Sequence, residues 1–130
     1  MAASASVGVE PPAFAILVYP VISMERNITH PGSLRKLLGK HAPDSIIKRY
    51  SFEQRVHPKV PPTLLVHARD DNVAKFKNSI AYLEALRAAN VPSELHILEY
   101  GGHGFGLGVQ GGDAAGWPDL CVEWIRKAVL

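Results

Sequence analysis

Three short hydrophobic stretches along the chain predict the strands of a buried sheet. Residues 13–19 and 63–67 are largely apolar runs, whereas residues 94–98 alternate apolar and polar side chains. Continuous apolar runs of this length are typical of parallel sheets, in which helices cover both faces of each strand. The pattern therefore predicts three strands, and we expect the first two to be covered on both sides.

Helical spacing of apolar residues predicts the elements between and after these strands. Ser33 can cap a short helix over residues 34–38, a second helix covers about residues 43–50, the longest about residues 75–90, and the last begins at Pro118. The apolar stripe of the longest helix consists of Phe76, Ile80, Ala81, Leu83, Ala85, Leu86 and Ala89. This order of elements predicts an α/β fold, a short parallel sheet of about three strands with flanking helices and right-handed connections.

Length and composition limit the chain to one globular domain. It has 130 residues, of which 47% are hydrophobic and 20% are charged. Residues 1–12 are small, polar and closed by prolines, so we assign them to a loose lead-in and residues 13–130 to the domain. The amino terminus lacks the pattern of a secretory signal, and the longest apolar run, residues 13–22, is too short to span a bilayer. We therefore expect a cytoplasmic protein without a membrane segment.

The charged and metal-binding residue types argue against several functional classes. The net charge is +2, and the lysines and arginines are scattered without interleaved aromatics, which argues against nucleic-acid binding. The single Cys121 excludes an internal disulfide and a four-cysteine zinc site. Five histidines are dispersed without metal-ligand spacing, namely His30, His41, His57, His67 and His96. We therefore expect no metal and no cofactor.

The most informative stretch is a glycine-rich loop that carries one histidine. Gly101-Gly102-His103-Gly104 follows the third predicted strand, and Asp71 follows the second. Because parallel strands end at the same edge of a sheet, these side chains are expected on adjacent strand ends. A carboxylate that binds the far nitrogen of an imidazole fixes its tautomer for proton transfer. The pattern favours His103 as a base oriented by Asp71, with two unconnected surface residues as the alternative.

The neighbouring Asp70 could be confused with Asp71 as the partner of His103. The loop over residues 67–73 has the pattern His-Ala-x-x-Asp-x-Val, which puts Asp71 at its tip. Val73 is then expected to return the chain to the core. We therefore assign the orienting carboxylate to Asp71.

Several motifs together resemble the carboxyl-terminal half of α/β-hydrolase-fold esterases. They are FAILVYPVIS at 14–23, PTLLVHARDD at 62–71, Asn78-Ser79, GGHGFG at 101–106, Trp117-Pro118 and CVEW at 121–124. The similarity is greatest to the acetyl-xylan-esterase-like and feruloyl-esterase-like branch and covers residues 13–130. It implies a carboxylic-ester hydrolase that acts on small acyl esters, with acylated carbohydrate as a candidate substrate. It also implies Asp71 as the triad acid and His103 as the triad base.

The serine nucleophile of such esterases has no clear counterpart in this sequence. Its G-x-S-x-G strand-to-helix elbow does not occur in the 130 residues, nor does a His-Gly-Gly oxyanion loop. Ser4 and Ser6 lack the glycine frame, and Ser23 stands at the end of the first predicted strand, where a loop hydroxyl bonded to its own backbone is the simpler reading. These three serines are the candidates. His103 acting as a general base on water is the other route.

The first predicted strand leaves an apolar edge that needs a partner. Edges of this kind pair with another strand. The alternatives are that residues 13–19 pair with a second copy in a homodimer or with an amino-terminal hydrolase half that supplies the nucleophile, and self-association is the favoured prediction. A catalytically silent hydrolase remnant, serving as a binding or self-association module, is the alternative to the esterase hypothesis.

Overall fold

The computed structural model describes residues 10–128 as a parallel sheet flanked by helices. The strands are β1 (Ala15–Val18), β2 (Thr63–Ala68) and β3 (Ser93–Leu98), and the α-helices are α1 (Pro31–Leu38), α2 (Asp44–Tyr50), α3 (Lys77–Ala88) and α4 (Trp117–Ala128). Two 3₁₀ segments, Phe52–Arg55 and Gly112–Gly116, precede β2 and α4. The predicted α/β class and the three parallel strands are confirmed. The boundaries differ from the predicted ones by a few residues at most element ends.

β2 forms the centre of the sheet, and both neighbours run parallel to it. The order is β1-β2-β3, and every residue of β2 is buried. Ala15 pairs with Thr63, and Thr63 pairs with Ser93. The strands therefore share one carboxyl edge, which brings the loop after β2 beside the loop after β3.

Two hydrophobic layers cover the faces of the sheet. On one face, α3 packs its Tyr82, Leu83 and Leu86 against Leu65 of β2. On the other face, α4 packs Cys121 and Trp124 against alternate β2 residues, which are Leu64, Val66 and Ala68. Alternate side chains of a strand point to opposite faces, so β2 contributes to both layers. β1 is only half-buried, unlike the full coverage that its sequence predicted.

The start of α1 differs from the prediction. His30, and not Ser33, is the N-cap: its ring nitrogen Nδ1 accepts a hydrogen bond from the backbone amide of Ser33 at 3.2 Å. Pro31 occupies the first turn, where backbone N–H groups have no partner within the helix, so the proline costs no helical hydrogen bond. A histidine ring thus performs the capping that the hydroxyl group was expected to perform.

The inner face of α3 contains polar residues that the apolar stripe did not predict. Asn78 and Ser79 are fully buried, whereas Phe76 and Ile80 are only half-buried. The amide oxygen of Asn78 accepts hydrogen bonds from the backbone N–H groups of Ile22 and Ser23, both at 3.0 Å. Burying these polar groups is tolerated because their hydrogen bonds are made. The start of α3 therefore holds the chain that leaves β1.

The helices of the described region are short. Within residues 10–128, no helix combines the length and the hydrophobicity that crossing a membrane requires.

Candidate active site

The loops after β2 and β3 meet at the carboxyl edge of the sheet. The amide of Arg69 donates a hydrogen bond to the carbonyl of Leu98 at 2.8 Å, which extends the strand pairing by one step. Beyond this point the chains diverge into the loops that contain Asp71 and His103. The sheet thus fixes the start of both loops and brings their side chains together.

Asp71 is held from both of its carboxylate oxygens. Oδ1 accepts hydrogen bonds from the amides of Val73 at 2.8 Å and Ala74 at 2.9 Å. Oδ2 lies 2.8 Å from Nδ1 of His103. The residue is only 4% exposed, so this carboxylate is shielded from water. The turn that follows Asp71 thus helps to orient it. In that turn Val73 is 46% exposed, so the expectation for Val73 was wrong, and the fully buried Ala74 is the residue that returns the chain to the core.

His103 lies at the surface end of this hydrogen bond. Because its partner is a carboxylate, which only accepts, Nδ1 carries the proton and Nε2 is the nitrogen available for proton transfer. The side chain is 33% exposed. The Tyr19 ring packs edge-on against the imidazole with centroids 4.9 Å apart, and Phe105 packs against Tyr19 at 4.8 Å. The imidazole is thus supported on one side by aromatic rings and remains accessible on another.

The charge on Asp71 is stabilised by its hydrogen bonds. Burial alone would raise the pKa of this carboxyl group, because desolvation disfavours the charged form. The hydrogen bonds from His103, Val73 and Ala74 outweigh burial and hold the pKa below its ordinary value. Asp71 therefore remains ionised and can stabilise a positive charge on His103.

A second imidazole contacts the same carboxylate from inside the protein. Nε2 of the fully buried His67 lies 2.6 Å from the carbonyl oxygen of Ala74 and 3.2 Å from Oδ2 of Asp71. Both partners only accept, so Nε2 carries the proton. Burial lowers the pKa of His67, so the ring is neutral, and its Nδ1 accepts a hydrogen bond from the hydroxyl group of Ser79 at 2.8 Å. His67 thus connects α3 to the Asp71 turn, which is a structural role.

We expect acidification to destabilise the fold in two steps. The pKa of His67 lies below its ordinary value of 6.5, so its contribution to the unfolding free energy is fully present above 6.5 and is lost as the pH falls through the folded pKa. The pKa of Asp71 lies below 3.8, so its contribution is present above 3.8 and is lost on further acidification. Urea unfolding measured between about pH 8 and pH 2 tests this. A His67→Gln variant should lack the first step, and equal stability of the native sequence at about pH 7 and pH 5 would contradict the prediction.

The one candidate serine that the structure describes, Ser23, is held at a different place from His103. Ser23 is fully buried, and its hydroxyl group donates to Oε1 of Glu53 at 2.7 Å and accepts from the amide of Glu25 at 3.1 Å. Ser4 and Ser6 lie outside the described residues. Of the predicted site residues, Asp71 and His103 are therefore the pair that the fold brings into contact, and their catalytic roles stay a prediction.

Tyr19 belongs to the site, although sequence reasoning missed it. It follows β1 with a φ of 40°, a left-handed conformation that is uncommon for a bulky residue. Such conformations persist where the surroundings enforce them and are concentrated at functional sites. No sequence signal marks this residue, because tyrosine is not a residue that favours positive φ.

The acidic and imidazole groups do not form a metal centre. Among residues 10–128 there is no group of three or more His, Cys, Asp or Glu side chains that could hold a metal ion. Cys121 lies on the buried face of α4, and burial raises the pKa of its thiol, so it has the properties of a small core residue.

Comparison with protein families gives one match over almost the whole chain. The model of the prolyl oligopeptidase family matches residues 5–128. Among curated proteins, the chain is 39% identical over 101 residues to an acetylxylan esterase of Xylanibacter ruminicola, and 34% identical over 93 residues to endo-1,4-beta-xylanase B of Butyrivibrio fibrisolvens. These matches cover 75% and 72% of this chain but only 21% and 14% of the relatives.

Solved structures agree with the sequence matches. An acetyl ester-xyloside bifunctional hydrolase from Caldicellulosiruptor lactoaceticus superimposes with a TM-score of 0.86 and 36% identity over 90% of this chain. A sugar hydrolase from Lactococcus lactis superimposes with a TM-score of 0.76 and 28% identity over 95% of this chain. The chain covers 43% and 51% of these two proteins, so it spans about half of their length.

Proposed function

Because this chain belongs to the prolyl oligopeptidase family and corresponds to a carboxyl-terminal portion of an α/β-hydrolase esterase, we propose that it supplies the acid and base of a carboxylic-ester hydrolase. The observation that carries the proposal is the 2.8 Å hydrogen bond between His103 and the buried carboxylate of Asp71, at the carboxyl edge of the sheet. His103 is the general base, and Asp71 orients it.

The proposed chemistry is acyl transfer through a proton shuttle. A hydroxyl group attacks the ester carbonyl while Nε2 of His103 takes its proton. Asp71 stabilises the resulting imidazolium through Nδ1, and its own low pKa keeps it unprotonated. The imidazolium then gives its proton to the departing alkoxide, which leaves as an alcohol. Water repeats the cycle on the acyl group and releases the carboxylic acid.

The proposed substrates are small acyl esters, with acetyl groups on carbohydrate as the leading candidate. The proposal is supported by two of the similar proteins, which are named as an acetylxylan esterase and an acetyl ester-xyloside bifunctional hydrolase. The chain covers 21% of the first of these relatives and 43% of the second.

The proposed source of the nucleophile is an amino-terminal hydrolase half that adds a strand to the outer edge of β1. Within residues 10–128, β1 pairs only with β2. The amide of Tyr19, directly after β1, continues this pairing by donating to the carbonyl of Val66 at 2.8 Å. The other edge of β1 can accept a strand. A second copy of β1 in a homodimer is the alternative occupant, and light scattering that shows only monomer at micromolar concentration would count against that alternative.

Hydrolysis of a short-chain nitrophenyl acetate by the purified chain tests the function. The variants are His103→Ala and a triple alanine variant of Ser4, Ser6 and Ser23. If His103→Ala loses activity and the triple serine variant keeps it, the result supports His103 as the general base that activates water or a serine of another chain. Activity unchanged by His103→Ala would overturn the proposal.

If the isolated chain is inactive, a chimera tests the proposed function instead. Residues 13–128 would replace the matched segment of the Caldicellulosiruptor lactoaceticus hydrolase, which has the highest structural similarity given above. An active chimera that loses hydrolysis on His103→Ala supports the proposal. A folded but inactive chimera favours the second candidate function, a binding or self-association module, for which the absence of a G-x-S-x-G elbow from the 130 residues is the supporting observation.

A further inference from the structure

The acidic residue next to Asp71 contacts the same histidine loop at a different point. Oδ1 of Asp70 accepts hydrogen bonds from the backbone amides of Gly101 and Gly102, at 3.0 Å and 2.8 Å. We propose that Asp70 is a positioning residue that holds the backbone of this loop, while Asp71 holds the ring of His103. The inference rests on the proposed function, because it assigns Asp70 a role in placing the base.

Two hydrogen bonds to one carboxylate oxygen define where the loop turns. Gly102 has a φ of +60°, a left-handed conformation that glycine adopts at little cost. Both amides directly precede His103, so their position determines where the histidine backbone leaves the turn. Hydrogen bonds from backbone N–H groups to a charged carboxylate are stronger than those between neutral groups. Asp70 is therefore the side chain that fixes the approach of His103 to Asp71.

Close packing at Gly101 brings its amide within reach of Asp70. A Cβ atom added there would lie 3.3 Å from Cβ of Ala68 and 3.4 Å from the Phe105 ring. The glycine backbone can thus lie against the end of β2, beside the turn that contains Asp70. The adjacency of Asp70 and Asp71 then has a physical reason, because successive residues of one turn contact successive parts of the other loop.

An exposed ion pair between the same two loops provides a matched control. Nε of Arg69 lies 3.0 Å from Oε2 of Glu99, and the two side chains are 54% and 58% exposed. Exposed pairs of this kind contribute little to stability. Glu99→Gln removes one negative charge from the same loop region as Asp70→Ala does, but it leaves the amides of Gly101 and Gly102 bonded.

Nuclear magnetic resonance of the isotope-labelled 130-residue chain tests the proposal without turnover. The readouts are the Nδ1–H proton of His103 and the exchange of the Gly101 and Gly102 amides with water. In Asp70→Ala, the three protons should exchange roughly tenfold faster, because the loop opens more readily without its two hydrogen bonds. Asp70→Asn keeps an acceptor oxygen and should restore most of the protection. Glu99→Gln should resemble the native sequence in all three exchange rates.

Two results would overturn the inference. The first is an unchanged exchange rate of the His103 proton in Asp70→Ala, which would show that Asp70 does not position the base. The second is an equal increase in Glu99→Gln, which would show a general effect of charge. Neither result depends on ester hydrolysis, so a failure of the proposed function in the nitrophenyl acetate assay would be seen separately.

Discussion

Asp71→Asn is expected to lower the kcat of ester hydrolysis by about 10⁴-fold, the effect typical of replacing the triad acid by its amide. The amides of Val73 and Ala74 donate to Oδ1 of Asp71, so they select the carbonyl oxygen of the new side chain for that position. The NH₂ group must then occupy the position of Oδ2, 2.8 Å from Nδ1 of His103. Nδ1 is forced to accept, the proton moves to Nε2, and His103 can no longer act as a base.

The measurement is the steady-state hydrolysis of nitrophenyl acetate by the chain, or by the chimera if the chain alone is inactive. Asp119→Asn is the matched control, because it makes the same chemical change at an exposed position in the first turn of α4. It should leave kcat within about twofold of the native value, as expected of a surface change away from the site. A kcat for Asp71→Asn within about tenfold of native would contradict the assignment of Asp71 as the triad acid.

His67→Ala is expected to lower the free energy of unfolding by about 2–4 kcal/mol, although His67 is not assigned a catalytic step. The substitution removes a fully buried ring and leaves a cavity beside α3. It also removes the donor to the carbonyl of Ala74 and the acceptor of the Ser79 hydroxyl, so buried polar groups lose their partners. A loss of this size is a large fraction of the stability of a small domain.

Urea unfolding followed by far-ultraviolet circular dichroism measures this effect at neutral pH. His41→Ala is the control, because His41 is exposed and the change should alter the unfolding free energy by less than about 0.5 kcal/mol. His67→Gln keeps an amide donor and should fall between the two. If His67→Ala were as stable as His41→Ala, the buried hydrogen bonds of His67 would contribute nothing net to folding.

Much of the fold was predictable because its signals are local and repeated. The apolar runs that became β1 and β2, and the helical spacing that became α3 and α4, follow from burying one face or both faces of a regular element. Parallel strands end at one edge, so the sequence also predicted that Asp71 and His103 would be neighbours. The cap of α1 was wrong because a histidine ring competed successfully with the expected serine.

The inward face of α3 shows why the predicted apolar stripe differs from the residues that are actually buried. Hydrophobicity favoured Phe76 and Ile80, but the buried positions at the start of this helix are Asn78 and Ser79. Their burial depends on partners far away in the chain, since Asn78 binds the amide of Ile22 and Ser79 binds His67. A hydrogen bond across that sequence distance has no periodic signature, so the helix sequence alone could not reveal it.

The sequence by itself determined the α/β class, the three strands and the identity of the candidate base with its loop. The tertiary structure decided what depends on distances between loops: the separate contacts of Asp70 and Asp71, the protonated nitrogen of His67, and the left-handed turn at Tyr19 against the imidazole. Local patterns report which face of an element is buried. They do not report which oxygen meets which nitrogen, because that depends on the packing of the whole sheet edge.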